Sequence, residues 1–423
     1  MADTDDIKQR VFRYIENSYG NLVLHLSRLV QIPSLTGQEG EAQDYIYRLY
    51  SDLGLKVMSL EVDPDRIRRH KAYVESDYDY NGRPNVIGVL EGRASARSLI
   101  LNGHIDVVSP EPVAQWDFPC WEGRVVGNRL YGRGALDMKA GLIANYYALK
   151  ALLDNGCSPD GTVILQSVIE EEVMAGGGTL ACLLDGFTAD GLIITEPTMK
   201  ILVAHPGVIN FAVGVTGRAA HAGMAHIGVN AIGKMNRVYE ALVELDKRRA
   251  EENHHPLIEK TAGRSCHLSV GTYRAGDWVS TVPGYAEIGC RMSYLPAENL
   301  DSVKQQVQQA INDAAAKDKW LVQHPPEIVW DERFAIPWEQ SPEDPFVRLF
   351  KSTADATLGM DVEIAGATWG MDARFAPFFN IAALTFGPNG GNIHGVNEYV
   401  DIVSVINCTK VLAAFIIDWC GTA

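Results

Sequence analysis

Two side chains that suit metal binding follow a short apolar run near residue 100. The run Ser98–Leu101 is short and apolar enough for a buried strand, and His104 and Asp106 come just after it. Because these two residues are two apart, an extended chain directs both side chains to the same side. An imidazole beside a carboxylate suits a metal ligand with its orienting partner. A buried histidine satisfied by an aspartate, without metal, would give the same pattern, so this stretch alone leaves both interpretations open.

Carboxylates also follow two further apolar runs. Residues 162–169 lead into three consecutive glutamates, 170–172, and residues 191–195 lead into Glu196 and a proline. Like charges at such short spacing raise each other's pKa unless a cation or solvent compensates them. Strands that alternate with helices form mostly parallel sheets, and ligand sites in such sheets lie beyond the carboxyl ends of the strands. We therefore expect these carboxylates to meet His104 in a metal site at one edge of a sheet.

Two more candidate ligands lie in segments without clear periodicity. Asp137 ends a long connection, residues 107–136, at the point where a helix should begin, so a helix N-cap is the alternative role for its carboxylate. His394 lies past an apolar strand predicted over residues 381–386, in a segment that contains two adjacent glycines. The last helix is predicted over residues 398–419. Like Glu171, Glu172 and Glu196, both candidates lie just after a predicted strand or at the end of a connecting loop.

Composition bounds the classes of function. The net charge of −16 argues against nucleic acid and against anionic membrane surfaces as partners. The seven cysteines are scattered without a CxxC pair, which indicates reduced thiols and no cysteine-based zinc site. The acidic N-terminus lacks the basic start and apolar core of a signal peptide, and no uninterrupted apolar run is expected to span a bilayer. We therefore expect a cytoplasmic protein.

The length of 423 residues favours two domains. From about residue 207 the order strand–helix–strand–strand–helix–strand is that of a small ferredoxin-like domain. A helix predicted over residues 345–358 then resumes the earlier alternation, so the small domain is inserted. We expect an α/β catalytic domain with a mostly parallel sheet, formed by residues 1–206 and 333–423, and an inserted α+β domain over residues 207–332.

Taken together, these stretches resemble the M20 metallopeptidase family of acetylornithine deacetylases, succinyl-diaminopimelate desuccinylases, carboxypeptidases and aminoacylases. The resemblance covers nearly the whole chain. The run Glu171–Thr179 matches the spacing Glu-Glu-x-x-Ala-x-x-Gly-Thr, with Glu170 in place of the family's usual aspartate. The resemblance implies two divalent cations per subunit, zinc by default, with manganese or cobalt also suited to histidine and carboxylate ligands. The implied ligands are His104 and Glu196 on one ion, Glu172 and His394 on the other, and Asp137 bridging both.

The resemblance also implies hydrolysis of a C–N bond in a small carboxylate-bearing substrate. A cation lowers the pKa of bound water so that hydroxide is available, and Glu171, the general base, passes the water proton to the leaving amine. Asp106 would orient His104. His221, in the inserted domain, would stabilise the oxyanion, and in dimeric members it comes from the neighbouring subunit. We therefore expect an N-acyl amino acid deacylase that forms a homodimer through the inserted domain.

The expected substrate contacts include Arg374, whose guanidinium can pair with a carboxylate in a bidentate manner, a surface salt bridge being its alternative role. The other expected contacts are Arg291, Gly391, His226 and Ser280. The family usually has asparagine where Ser280 stands, and it varies at the position of His226. Because these departures fall on substrate contacts, an aminohydrolase that releases ammonia from an aromatic amine such as a nitroanthranilate is an alternative. A non-catalytic binding protein on the same fold is a third hypothesis.

Overall fold

The computed structural model describes residues 4–422, which form two compact units. The first unit comprises residues 4–203, 340–365 and 371–422, and the second comprises residues 204–339 and 366–370. The second unit is longer at both ends than the predicted insert of residues 207–332. The reason is that Ala204–His205 pairs with Trp338–Glu339 as a short antiparallel ribbon.

Twelve α-helices lie within residues 4–422. They are α1 (Thr4–Asn17), α2 (Tyr19–Val30), α3 (Gly40–Asp52), α4 (Pro64–Ile67), α5 (Ala140–Asp154), α6 (Thr179–Leu184), α7 (Ala231–Glu252), α8 (Pro256–Ala262), α9 (Leu300–Ala316), α10 (Lys319–Gln323), α11 (Pro345–Leu358) and α12 (Ile402–Cys420). Shorter helical turns lie at Val113–Gln115, Ala135–Lys139, Ala222–Ile227 and Asp372–Phe379.

Twenty β-strands lie in the same described part of the chain. They are β1 (Lys56–Leu60), β2 (Asn85–Leu90), β3 (Leu99–His104), β4 (Arg124–Val126), β5 (Arg129–Tyr131), β6 (Val163–Val168), β7 (Gly191–Ile194), β8 (Ile201–Leu202), β9 (Ala204–His205), β10 (Gly207–Thr216), β11 (Ala220–His221), β12 (Leu268–Ala275), β13 (Thr281–Val282), β14 (Tyr285–Tyr294), β15 (Glu327–Ala335), β16 (Trp338–Glu339), β17 (Ile364–Ala365), β18 (Ala382–Thr385), β19 (Gly390–Gly391) and β20 (Tyr399–Asp401).

An eight-stranded sheet forms the centre of the first unit, with the strand order β1-β2-β6-β3-β7-β18-β8-β17. Its middle strands β6, β3, β7 and β18 run parallel to one another. The outer strands β1 and β2 are antiparallel to their neighbours. Strands β3, β6 and β7 are buried along their whole length, which explains why their sequences are apolar rather than alternating. The α/β class with a mostly parallel sheet is therefore confirmed.

Helix α12 is long and apolar enough to cross a membrane by length and composition, although Lys410 and Asp418 interrupt its apolar sequence. Most of this helix is buried inside the first unit, where it packs against α1, α5 and α11. The core helix of a soluble protein meets the same criterion, so this helix is weak evidence for a membrane span. Its start also differs from the prediction, because the side chain of Asp401 caps the helix at Val403 and Ser404.

A four-stranded antiparallel sheet forms the second unit, with the strand order β12-β14-β10-β15. Helices α7 and α9 are interleaved with these strands along the chain as the ferredoxin-like pattern requires. Apolar residues of the two helices and the sheet form one buried core, which includes Phe211, Met235, Leu242, Ile288 and Val307. The α+β architecture expected for this part of the chain is present, while its role in dimerisation stays a prediction.

Candidate metal centre

Three adjacent parallel strands bring histidine and glutamate side chains to one edge of the central sheet. Strand β3 ends at His104, and its neighbours β6 and β7 end a few residues before Glu172 and Glu196. Because parallel strands have their carboxyl ends at the same edge, residues far apart in sequence meet there. The ligand atoms of His104, Asp137 and Glu172 lie within 4.8 Å of one another. The predicted meeting of these side chains is therefore observed.

Asp137 lies between two histidines and contacts each with a different oxygen. Its Oδ1 is 3.0 Å from Nε2 of His104, and its Oδ2 is 3.2 Å from Nε2 of His394. Glu196 Oε1 is 3.5 Å from the same nitrogen of His104. Glu172 Oε2 is 3.0 Å from the same nitrogen of His394. The side chains thus form two groups that share Asp137, divided as the resemblance implies.

The helix N-cap role considered for Asp137 is wrong. Helix α5 begins only at Ala140, and its N-cap, Lys139, makes no side-chain capping hydrogen bond. Asp137 lies before it in the tight turn Ala135–Lys139, with extended backbone angles of φ −114° and ψ 98°. The turn directs the carboxylate to the histidines instead of to the first turn of the helix.

Asp106 is fully buried and makes two kinds of contact. Its backbone oxygen is 2.9 Å from Nδ1 of His104, closer than its own carboxylate, which is 3.6 Å from that atom. The carboxylate accepts the backbone N–H groups of Glu171 and Glu172, both at 3.2 Å, and the hydroxyl of Thr36 at 3.0 Å. Burial raises the pKa of Asp106 to about 7. Asp106 therefore fixes the glutamate segment as well as the imidazole.

Burial of several carboxylic acids close together raises the pKa of Glu171 and Glu196. Burial raises the pKa of Glu171 well above its ordinary value, and the negative charge of Asp372 adds to this effect. Burial likewise raises the pKa of Glu196, with a further contribution from Asp137. Hydrogen bonds to Asp137 and Glu172 raise the pKa of His394 to about 10. A divalent cation would supply the positive charge that these carboxylates need in order to ionise together.

The donor set fits such a cation. Imidazole nitrogens and carboxylate oxygens are ligands for zinc and related divalent ions, and both types are present in each group. Oε1 of Glu172 is buried and has no hydrogen-bond partner, so it is available as a further ligand atom. Glu171 lies with His104 and Glu196 in a second cluster whose ligand atoms are within 4.8 Å of one another.

Arg374 is buried, with 1% of its surface exposed, so its interpretation as a surface salt bridge is wrong. Its Nη2 donates to the carbonyl oxygen of Met174 at 3.0 Å and lies 3.4 Å from Oδ1 of Asp372. Its Nη1 is buried without a hydrogen-bond partner. Since Met174 belongs to the segment that follows Glu171, the guanidinium contacts the chain close to the expected general base. Its role toward substrate stays a prediction.

Four other predicted site residues belong to the second unit. His221 in β11 pairs with Thr281 in β13, and Ser280 directly precedes that strand. His221 and Ser280 are exposed, whereas Thr281 is half-buried. His221 Nδ1 accepts the backbone N–H of Gly223 at 3.1 Å. The remaining two are His226, in the exposed helical turn Ala222–Ile227, and Arg291, on β14. Their roles in catalysis and substrate binding stay predictions.

Gly391 lies in the two-residue strand β19, against β20. A Cβ at this position would lie 2.8 Å from the ring of Tyr399, so a larger residue would have to displace that side chain. Gly390 is more restricted, because its Cβ would lie 2.0 Å from the backbone carbonyl oxygen of Tyr399. A substrate contact of Gly391 stays a prediction.

Sequence reasoning missed Glu398 and Arg133. The sequence predicts Glu398 at the start of the last helix, but it lies before β20 and is fully buried. It forms an ion pair with Arg133, which is also buried. Arg133 stands in a Gly-Arg-Gly segment close to Asp137, and Glu398 follows His394 by four residues. The short sequence distance from each of these residues to a predicted metal ligand was the one feature that could have indicated their role.

A parallel α/β sheet that carries two histidine–carboxylate groups around one aspartate defines a metal-dependent hydrolase. A statistical model of Peptidase family M20/M25/M40 matches residues 100–418, which is well over half of the chain. The chain therefore belongs to this family, and it is an M20-type metallohydrolase that acts on C–N bonds.

The chain is similar in sequence to a deformylase and a probable desuccinylase, and in fold to two solved structures. The chain is 28% identical to an N-formyl-4-amino-5-aminomethyl-2-methylpyrimidine deformylase of Halalkalibacterium halodurans, over 97% of each chain. It is 26% identical to a probable succinyl-diaminopimelate desuccinylase of Staphylococcus aureus, over 89% of this chain and 92% of that one. An M20 family metallo-carboxypeptidase from Sulfolobus solfataricus has a TM-score of 0.71 at 17% identity, over 93% of this chain and 98% of that one. A dinuclear metal binding M20 peptidase from Bacillus subtilis has a TM-score of 0.65 at 16% identity, over 96% of this chain and 100% of that one.

Proposed function

We propose that this protein removes the acyl group from a small N-acyl compound by hydrolysing its amide bond. The observation that carries the proposal is the position of Asp137, whose two oxygens contact the histidines of two separate ligand groups. The names of the relatives, a deformylase and a desuccinylase, support removal of an acyl group from nitrogen. The proposed cation ligands are His104, Asp137, Glu172, Glu196 and His394, with zinc as the proposed metal.

Glu171 is the proposed general base. A divalent cation bound here would act as a Lewis acid and lower the pKa of a water molecule. The Glu171 carboxylate accepts a proton from the attacking water and later donates it to the leaving nitrogen. The carbonyl carbon gains a C–O bond and loses its C–N bond, so the products are a carboxylic acid and an amine. Glu171 is 9% exposed, so its carboxylate is largely removed from bulk solvent.

Arg374 is the proposed anchor for an anionic or carbonyl group of the substrate. Its unpartnered Nη1 leaves donor capacity beyond the bond to Met174. A buried guanidinium with free N–H groups binds a carboxylate strongly, because the charge-assisted hydrogen bonds form where water is excluded. The nearby Asp372 keeps the guanidinium oriented between substrates.

The second unit is proposed to supply His221 for the oxyanion and to form a homodimer. Exposure of His221 on the ribbon β11–β13 leaves its Nε2 able to reach another chain. His226, Ser280, Arg291 and Gly391 are further proposed substrate contacts. We also propose a cytoplasmic location, because the seven cysteines are all unpaired and buried.

Glu171→Gln is the variant that tests the mechanism. The amide keeps the shape of the side chain but cannot accept the water proton, so we expect turnover to fall about 10²–10⁴-fold. Zinc content, measured by mass spectrometry after dialysis, should stay at the wild-type level. Glu332→Gln, at an exposed position of β15, is the control and should keep full turnover. Unchanged turnover in Glu171→Gln would exclude the proposed base.

A substrate panel tests the chemistry. It should contain N-formyl, N-acetyl and N-succinyl amino acids, an N-formylated aminomethylpyrimidine, and a nitroanthranilate, with release of amine, acid and ammonia measured separately. We expect an N-acyl compound to be cleaved. Release of ammonia from the nitroanthranilate without cleavage of any amide would favour an aminohydrolase, and Glu171-independent binding without turnover would favour a binding protein.

A further inference from the structure

A buried ion pair connects the two loops that carry Asp137 and His394. Arg133 is 1% exposed and Glu398 is 0% exposed, and Nη1 of the arginine bonds Oε2 of the glutamate. The two residues are far apart in sequence, each only a few positions from a proposed ligand. Because both charges are removed from water, each side chain is held in place by its partner and by hydrogen bonds to nearby backbone.

The Glu398 carboxylate holds the backbone of the bridging residue. Its Oε1 accepts the N–H of Leu136 at 2.9 Å and the N–H of Asp137 at 3.1 Å. These bonds fix the turn in which Asp137 has extended backbone angles rather than helical ones. The orientation of both Asp137 oxygens therefore depends on Glu398.

The Arg133 guanidinium holds the backbone of the second histidine. Its Nη2 donates to the carbonyl oxygens of His394 and Gly395, both at 3.1 Å, and to that of Ser109 at 3.2 Å. The His394 side chain is 51% exposed, and its backbone has a positive φ of 58°, which non-glycine residues rarely adopt. Since His394 lies in neither a helix nor a strand, these hydrogen bonds replace the support that β3 gives to His104.

We propose that Arg133 and Glu398 are positioning residues that set the affinity of the cation held by Asp137, Glu172 and His394. The inference rests on the proposed metal centre. The ion pair fixes two of these three ligands, whereas in the other group it fixes only Asp137. Loss of the pair should therefore weaken one cation much more than the other.

Zinc affinity of the metal-free protein, measured by competition with a chromophoric chelator, tests the proposal. In Arg133→Lys the charge stays, but a single ammonium cannot reproduce the planar set of donors that bonds three carbonyls and Glu398. We expect one of the two zinc ions to bind about 10–100-fold more weakly, as for other residues that orient metal ligands. The other zinc ion should lose much less affinity, because Asp137 is the one ligand of its group whose backbone the pair holds.

Arg249→Lys is the matched control. Arg249 is 2% exposed and bonds both oxygens of the half-buried Glu298 at 2.8 Å, so it is a buried arginine with a bidentate glutamate partner within the second unit. The variant Arg249→Lys should leave the affinities for both zinc ions unchanged. Glu398→Gln, which keeps an acceptor for the two N–H groups but removes the charge partner of Arg133, should weaken the same zinc ion as Arg133→Lys does.

A double-mutant cycle with His394→Ala separates positioning from general destabilisation. When His394 is absent, Arg133→Lys should have little further effect on zinc affinity, because its main target has been removed. Equal weakening of both zinc ions, or full additivity with His394→Ala, would overturn the positioning role. Two tightly bound zinc ions in both Arg133→Lys and Glu398→Gln would overturn it while leaving the metal centre intact. Fewer than two zinc ions in the wild-type protein would overturn the metal centre itself.

Discussion

Asp106 is a carboxylate that organises backbone beside a proposed metal centre. It accepts N–H groups from Glu171 and Glu172, one on each oxygen, so a single buried side chain fixes both the proposed base and a proposed ligand. Its own backbone oxygen meets Nδ1 of His104. That contact leaves the opposite ring nitrogen, Nε2, facing Asp137 and Glu196, where a cation needs a free lone pair.

We expect Asp106→Asn to weaken zinc binding about 10–100-fold, because an amide group turns a donor toward one of the two N–H groups and displaces the glutamates. Chelator competition on the metal-free protein measures the change. Asp361→Asn is the control, since the Asp361 side chain is 93% exposed. Zinc affinity equal to wild type in Asp106→Asn would show that the backbone contacts do not support the ligands.

Adjacent parallel strands made much of the centre predictable. Their apolar runs end at His104, Glu172 and Glu196, and a parallel sheet brings such ends to one edge. Asp137 and His394 lie in irregular loops, so only the order of motifs connected them to the strands. Glu398 was predicted at the start of the last helix. Its ion pair with Arg133 could not be predicted, because the two residues are 265 positions apart and no local spacing indicates such a pair.

Arg83, in the loop before β2, forms a second buried cluster with Glu39 and Glu170. This cluster holds the start of the segment Glu170–Glu172. Arg83 bonds Glu39 with Nε at 2.6 Å and with Nη2 at 2.7 Å, and its Nη1 bonds Glu170 at 3.1 Å. Glu170 has a positive φ of 66° and stands where the resemblance expects aspartate. The longer side chain reaches Arg83 and also accepts the hydroxyl of Ser76 at 2.7 Å.

We expect Arg83→Met to destabilise the first unit by about 3–5 kcal/mol, because two glutamates lose the partner of their buried charges. The shift of the urea unfolding curve of the zinc-loaded protein measures this. Arg66→Met removes an exposed ion pair with Asp185 and should cost no more than about 1 kcal/mol. Equal shifts in the two variants would argue against a structural role for the buried cluster.

The described residues 4–422 form an α/β unit with a mostly parallel sheet, which carries the proposed metal centre, and an α+β unit that carries His221. The order strand–helix–strand–strand–helix–strand in the sequence predicted an inserted unit in this part of the chain. Its exact limits required the pairing of β9 with β16, which joins residues on either side of the insert. The exposed position of His221 in β11 is the feature on which a shared active site would depend.

Coexpression of His221→Ala and Glu171→Ala subunits with different tags tests the shared site. Each variant alone should be inactive. In a two-fold dimer with shared sites, one of the two sites of a mixed dimer regains both residues, so an equal mixture should recover about a quarter of wild-type activity. Activity no higher than that of the parent variants would contradict sharing, whereas activity in His221→Ala alone would remove the proposed role of this histidine.

Anomalous scattering from crystals of the zinc-loaded protein tests the central claim most directly. Data on either side of the zinc absorption edge locate each ion without assumptions about ligands. Our account predicts two zinc peaks per chain on opposite sides of the Asp137 carboxylate, one next to His104 and Glu196 and the other next to His394 and Glu172. A single peak that does not contact Asp137, or no peak at this edge of the sheet, would contradict it.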